Sequence, residues 1–594
     1  MIQLIFNFVL LIFRVLFNGL QAVSQNPTLE PVSETVQASN NPPSPSSPPP
    51  ILNEDSDLIL LEEGYGHRYT ALERLYGGLK ASRVTGSESH RAFIPNSVLQ
   101  RLVENNVVDF LREELLVDTD SISAPAQLIA QKAPKLLAAL VDIKKQACIL
   151  QLLREGIQDK DLPFMRVPNP RGPGFTLFTN ERQPIQAVKE WDSSSIFNFE
   201  NKQYRVLSPV FHLGGHYVLN DLHIPPFIGD INSDYKPAAA GGFGEVSQQY
   251  IHPDHHRLGD PTTREVFPLA VKRMFHSIDF EAEKKVYDDL GTHNHPHLIK
   301  PLFTFQKGDK HHLAFPWADA TLQGLWENDP LPLLTRRFLI WTLRQMVGLA
   351  DALAFFHEFT NPATGRPRFG RHGDIKAQNI LWFRDLNVLQ LADLGLADIR
   401  GRDSRSNVPP STVKVSPTYS PPEVERNSPV SRKWDNWSLG AVFLEMITYL
   451  CLGSDAIATF SKLRTESKLD LPELFSDTFY SSTYEAVKPS VKLWVDRLIQ
   501  SPRCSNMMYD VLTLIMTEMI VVQSAKRSSA KEVCAKLKAI LQRSRRDADY
   551  LLKPMNPPHE LPSALPIPAI DSKVGQHPTP PWLAASSKSQ TWNF

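Results

Sequence analysis

The chain has 594 residues, with 63 Lys and Arg against 64 Asp and Glu, a net charge of −1 at pH 7. That balance excludes a protein whose main task is coating nucleic acid, which needs a strong basic excess, and a wholly disordered acidic chain. Hydrophobic residues at 42% can fill several cores, while the 48 prolines point to long linkers.

Residues 1–20 are mostly apolar, and their polar members Gln3, Asn7, Arg14 and Asn18 fall on one narrow helical stripe. An in-plane amphipathic helix, a span with a polar seam, and a helix docked on the protein itself all fit this pattern. The first two give the chain a membrane contact. A secretory signal fits less well, because no Lys or Arg precedes the apolar run and Arg14 interrupts it.

Residues 21–56 read as a Pro/Ser-rich disordered linker, with six prolines between Pro42 and Pro50. Residues 57–160 read as a helical module. Asn96 and Ser97 can cap a helix that carries Val98, Leu99, Leu102 and Val103 on one face. A second helix is expected through Leu137, Leu140, Val141, Cys148, Ile149 and Leu152, with Gly156 placed to end it. No catalytic constellation falls in the module, which reads as packing or as a surface for a partner of unknown identity. Residues 161–233 look like lead-in strands that pack on the next domain. Residues 546–594 read as a Pro-rich disordered tail, with nine prolines between Pro554 and Pro581. The four cysteines form no C-x-x-C pair and no disulfide framework, which suits a reducing cytosol.

The informative stretch is 234–545. Ala239-Ala240-Gly241-Gly242-Phe243-Gly244-Glu245-Val246 reads as a glycine-rich turn between strands, where backbone N–H groups can approach phosphate oxygens. Leu269-Ala270-Val271-Lys272 is a short apolar strand ending in Lys. Eleven residues further, Glu283 opens a helical pattern with Val286, Tyr287 and Leu290, its carboxylate facing Lys272. Then come His372-Gly373-Asp374-Ile375-Lys376-Ala377-Gln378-Asn379, Asp393-Leu394-Gly395, Tyr419-Ser420-Pro421-Pro422-Glu423, Asp435-Asn436-Trp437-Ser438-Leu439-Gly440, and Arg527.

Each motif alone is weak, but the ordered set resembles the eukaryotic protein kinase superfamily. The resemblance implies an α+β fold: a small β-rich lobe and a large helical lobe, here preceded by the helical module. It implies ATP and Mg²⁺ as cofactors and a protein substrate. Lys272 would hold the α/β-phosphates and Glu283 would hold Lys272. Asp374 would receive the attacking hydroxyl, with Lys376 neutralising the transferred group. Asn379 and Asp393 would bind Mg²⁺. Ala240, Gly241, Gly242, Phe243 and Gly244 would cover the phosphates. Val246, Ala270 and Leu381 would sandwich the adenine, with Phe315 behind it and Pro316-Trp317-Ala318 as the hinge. Glu423 and Arg527 would form a structural ion pair, and Asp435 would brace the large lobe.

The chain departs from the family pattern at four points, one of them a Lys272-to-Glu283 spacing that is short for the family. Ala239 stands where the first Gly usually is, Leu394 replaces Phe, and Gly373 replaces the Arg that normally pairs with a phosphorylated activation loop. The segment after Asp374 resembles Ser/Thr rather than Tyr kinases, and the flanking architecture resembles expanded filamentous-fungal kinases. A cytoplasmic enzyme is expected, membrane-associated if residues 1–20 act as an anchor. Two other readings stand beside it: a pseudokinase scaffold, and a small-molecule phosphotransferase, which shares His-Gly-Asp but lacks the Pro-Glu and Asp-x-Trp-Ser-x-Gly elements. His293, His295 and His297 read as a loop rather than a metal site, and His252, His255 and His256 as solvated.

Overall fold

A computed structural model describes residues 69–87, 91–169, 174–229, 239–240, 244–259, 266–400, 417–426, 430–467, 475–481, 483 and 485–555. The expectations for 1–20 and 21–56 lie outside these residues. So do those for Gly241, Gly242 and Phe243; Ala240 is described by its backbone alone.

The N-terminal module is built from amphipathic helices. Helix Ala71–Ala81 opens with a capping box between Thr70 and Glu73. Helix Asn96–Glu113 buries the expected face, Val98, Leu99, Leu102 and Val103, and extends it through Val107, Phe110 and Leu111. Its cap differs from the expectation. Pro95 is the N-cap, without a side-chain bond, and the orphan N–H of Ser97 is met by Asp254, 157 residues away, at 2.8 Å. The second expected helix is broken into Pro134–Asp142 and Ile149–Arg154 by Lys144 at φ +59° and a 3₁₀ turn at Gln146–Cys148. Gly156, at φ +79°, follows the second piece.

The division expected at residue 160 is not the one drawn by packing. Phe164, Leu177, Ile196, Phe199 and Val206 share one core with Leu99, Phe110, Leu137 and Leu152. Phe164 stacks on Phe199 at 5.1 Å, and the Gln203 amide bonds both the N–H and the C=O of Phe164. Only the later part of the lead-in reaches the small lobe.

The small-lobe sheet runs in the order Gly215–Leu219, Phe303–Lys307, Lys310–Pro316, Phe267–Met274, Gly244–Ile251, Phe227–Ile228, and Ala239–Ala240 pairs with Gly244–Ile251 off this path. The lead-in therefore supplies a strand at each end. Strand Gly215–Leu219 lies parallel to its neighbour; the other pairings are antiparallel. Alternation sorts the two faces. Leu269, Val271, Ala314, Phe303 and Phe305 point to one side, where Phe211, Leu219 and Phe227 cover them. Phe211 stacks on Phe303 at 4.1 Å. Lys272, Ala270, Val246, Leu313 and Phe315 share the other face, toward the large lobe.

Helix Ser277–Leu290 packs on that second face, so Glu283 lies in mid-helix rather than at the start expected for it. His252 and His255 are 3% and 0% exposed, against the solvated loop expected of them. They pack edge-on to Phe93 of the module, at 5.8 and 5.1 Å. His256 is half-buried.

In the large lobe, helix Lys433–Leu452 is buried from Trp434 to Cys451, as an apolar helix without a polar face must be. Helix Arg336–His357 is apolar and long enough to cross a membrane, but its apolar side lies in the same core. The tail expected to begin at residue 546 instead stays packed to 555. Helix Ala548–Leu552 buries Tyr550 and Leu551, and the Tyr550 hydroxyl donates to Asp510 at 2.6 Å. The two-lobed α+β architecture implied by the motifs is present.

Candidate active site

Lys272 stands on a strand whose alternate residues are core, so its own alternation turns it inward. Its Nζ lies 2.8 Å from Glu283 Oε2 and 2.7 Å from Asp393 Oδ1. Burial alone would lower the Lys272 pKa, but the two carboxylates hold it above its ordinary value. Burial pushes Asp393 up, and Lys272 more than offsets this, leaving its carboxyl below the usual range. Glu283, fully buried, is pushed up by burial against the pull of Lys272. A lysine so placed is a fixed positive charge at neutral pH. Asp393 sits at φ +66°, ψ 77°, a left-handed conformation that a non-glycine residue takes at some cost. Its Oδ1 accepts from the Gly395 N–H at 3.4 Å.

The loop after strand Pro367–Arg371 carries Asp374. Its Oδ2 accepts from Lys376 Nζ and from Asn379 Nδ2, both at 2.8 Å. The Asn379 amide also donates to the Asp374 carbonyl at 3.0 Å, which pins the loop into its 3₁₀ turn. Asp374 Oδ1 is buried and has no hydrogen-bond partner. A buried carboxylate oxygen left open is costly unless something donates to it. The Ala392 N–H donates to the Asn379 carbonyl at 2.9 Å and so ties the Asp393 segment to the Asn379 turn.

This loop rests on Asp435, which is 0% exposed. Its two carboxylate oxygens accept the His372 N–H at 2.8 Å and the Gly373 N–H at 2.9 Å, and His357 Nε2 lies 2.9 Å away. Burial raises the Asp435 pKa, but His357, His372 and the Gly373 N–H more than offset it, leaving the group below its ordinary value. Gly373 itself has φ +81°, and a Cβ there would stand 2.9 Å from the Leu396 carbonyl oxygen. The Arg expected at this position from the family pattern is thus replaced where the backbone favours glycine.

Below the loop, Arg527 makes a two-pronged pair with Glu423, at 2.8 and 3.2 Å, and lies 5.2 Å from the Trp437 ring centre. Val246, Ala270 and Leu381 are half-buried, and Phe315 is 8% exposed with its ring 5.9 Å from Tyr287. At Gly244 a Cβ would collide with the Arg273 carbonyl, so the strand needs glycine where it leaves the turn. The three histidines His293, His295 and His297 diverge. Their rings meet the Thr360 carbonyl, Asp351 and the Leu389 carbonyl respectively.

His357 was not singled out by the motifs. A lone His near the end of an apolar helix carries no signal of a partner 78 residues away. The same holds for Phe211 and His216, which lie upstream of every motif.

The sequence pattern of the protein kinase domain matches residues 264–537. Among curated proteins, a probable serine/threonine-protein kinase, PBL8, of Arabidopsis thaliana is 31% identical over 286 residues, covering 46% of this chain and 63% of that protein. Salt tolerance receptor-like cytoplasmic kinase 1 of Oryza sativa subsp. japonica is 30% identical over 159 residues, 26% of this chain and 42% of that protein. Protein BRASSINOSTEROID INSENSITIVE 1 of Arabidopsis thaliana is 25% identical over 334 residues, 54% of this chain and 24% of that protein. The chain thus spans less than two thirds of the length of each of these relatives. With its motifs in order on a two-lobed fold, the chain carries a protein kinase domain over residues 264–537.

Proposed function

We propose that this chain is an active protein kinase that transfers the γ-phosphoryl group of Mg-ATP to Ser or Thr hydroxyls of protein substrates. The observation that carries the reading is the pair of assembled charge centres: Lys272 between Glu283 and Asp393, and Asp374 with one oxygen held by Lys376 and Asn379 and the other open.

The donor set fits the nucleotide and its metal. Asp393 and Asn379 offer the hard oxygen ligands that Mg²⁺ prefers, and phosphates would supply most of the rest. When bound, Mg²⁺ neutralises charge on the phosphates. Lys272 holds the α/β-phosphates from the protein side, and Glu283 keeps its ammonium in place. Asp374 Oδ1 receives the hydrogen bond of the substrate hydroxyl and holds its proton as the oxygen attacks. Lys376 keeps Oδ2 occupied and brings a positive charge to the transferred group. Val246, Ala270 and Leu381 flank the adenine, and the small residues of the run Ala240, Gly241, Gly242, Phe243 and Gly244 suit a cover over the phosphates.

Retention of Lys272, Asp374, Asn379 and Asp393 together favours catalysis over a scaffold. The Glu423–Arg527 pair and Asp435 favour a protein substrate over a small molecule. Ser/Thr preference rests on the Ile-Lys-Ala-Gln-Asn run after Asp374 and on the names of the relatives. The enzyme works where ATP and Mg²⁺ are plentiful, on the cytosolic side. Residues 1–20 would hold it at a membrane, and deleting them should then move the protein from the membrane pellet to the supernatant.

The test is phosphate transfer from labelled ATP to a peptide array. Asp374→Asn and Lys272→Met should each lower transfer by roughly 10² to 10⁴, about 3–5.5 kcal/mol of barrier. Activity within about threefold of wild type would remove the roles assigned to them. No stabilisation by millimolar Mg-ATP in thermal shift would favour the scaffold reading.

A further inference from the structure

The small lobe holds a helix whose position decides whether Lys272 has its partner. Glu283 reaches Lys272 only because helix Ser277–Leu290 lies close on the sheet. Edge strand Gly215–Leu219, which precedes the matched kinase domain, meets that helix through one side chain. In the parallel register His216 stands opposite Thr304, and its Nδ1 is 2.8 Å from Thr304 Oγ1. Thr304 stands opposite Leu313, and Leu313 opposite Lys272, so His216 points to the Lys272 face of the sheet. There its ring lies 6.2 Å from that of Phe280, at 31°. Phe280 is 1% exposed, and the ring of His311, on the same sheet face as His216, lies 4.8 Å from it.

Phe280 and Glu283 are three residues apart and therefore lie on one helix face. His216 is itself exposed, and its ring, lying beside Phe280, limits how far that face can roll or lift. The edge strand is itself firmly held. The Leu219 carbonyl accepts the Gly308 N–H at 3.0 Å, the Leu302 carbonyl accepts the Gly214 N–H at 2.6 Å, and Phe211 is stacked on Phe303 beneath. The His216 ring is thus tied to the sheet rather than to a loose segment.

We propose that the lead-in strand is a built-in support for the Glu283 helix, and that His216 is a positioning residue for the Lys272–Glu283 pair. His216 touches neither Lys272 nor Glu283 and acts through Phe280. This inference rests on the kinase reading above for its effect on activity.

The experiment uses the full chain with His216→Ala, and with Thr304→Val to remove the hydrogen bond alone. Phosphoryl transfer and backbone hydrogen exchange of residues 277–290 are measured in wild type, in each variant, in Glu283→Gln, and in the His216→Ala/Glu283→Gln double variant. If His216 works through the pair, His216→Ala should lower kcat about fivefold and speed exchange in 277–290. It should cost less than about twofold more in the Glu283→Gln background, because coupled residues do not add. Thr304→Val should move both readouts in the same direction by less. An equal loss in both backgrounds, or unchanged exchange in the helix, overturns the proposal. The exchange arm needs no turnover. If Asp374→Asn matches wild type, the kinase reading fails while the support is still decided by exchange.

Discussion

The Asp435 carboxylate accepts the backbone N–H of Gly373 at 2.9 Å, one residue before Asp374. A charge on the central buried helix thereby sets the height of the loop that carries Asp374. The price of that geometry is a left-handed residue at 373. Gly373→Ala should destabilise the protein by about 1–3 kcal/mol, since φ is positive and the added methyl crowds the Leu396 carbonyl. Urea unfolding of the pair of proteins measures it. Equal stability would show that the loop relaxes around the methyl at no cost.

With glycine at 373, a phosphate on the activation loop lacks its usual partner beside Asp374. Arg371 is the nearest basic residue in the chain before it, but its side chain is buried. It is 7% exposed and 5.3 Å from the Trp434 ring centre, on a strand where it stands opposite Asp398. Basal activity should therefore survive phosphatase treatment, changing by less than about threefold, or roughly 0.7 kcal/mol. A collapse of activity restored by incubation with ATP would require a different basic anchor.

Phe211 covers the outer face of the small-lobe sheet and is 0% exposed. Its rings of contact are Phe303, Phe305, Phe227 and Tyr217. Phe211→Ala should cost about 3–5 kcal/mol. The loss is read by chemical denaturation followed through a small-lobe probe. A cost under about 1 kcal/mol would mean that the lead-in is a dispensable cover rather than part of the core.

Two histidines of the small lobe are buried uncharged. Burial pushes His255 down to about 4 and His312 down to about 3. Both folded values lie below the ordinary value near 6.5, so the unfolded chain binds the extra protons. The stability each provides is fully present above pH 6.5, falls progressively below it, and is gone once the pH reaches the folded values. At pH 5.5 each should cost about 1.4 kcal/mol relative to neutral pH. Thermal unfolding at pH 7.5 and 5.5 tests the slope. His312→Phe keeps the stack on Phe305, 4.3 Å away, and should flatten it; an unchanged slope would place the protons elsewhere.

Sequence alone determined which candidate groups stand in the chain and in what order. Chemistry demands specific residue types there, such as Lys272, Asp374, Asn379 and Asp393, and short spacings along strands and turns keep those types readable. It also determined the inward face of helix Asn96–Glu113, because a 3.6-residue period leaves little choice. Tertiary structure decided what distant contacts decide. Nothing local says that Phe164 and Val206 close the module's core rather than the lobe's, that His252 and His255 pack against Phe93, or that Asp254 caps a helix 157 residues upstream. The break near Lys144 arises where the chain turns in a left-handed conformation that the apolar period does not reveal. The support of Glu283 from His216 belongs to the same class, since it exists only once a parallel strand has paired in register across 88 residues of chain. Burial and pairing are properties of the assembled surfaces, and a one-dimensional pattern records only which residues are able to take part in them.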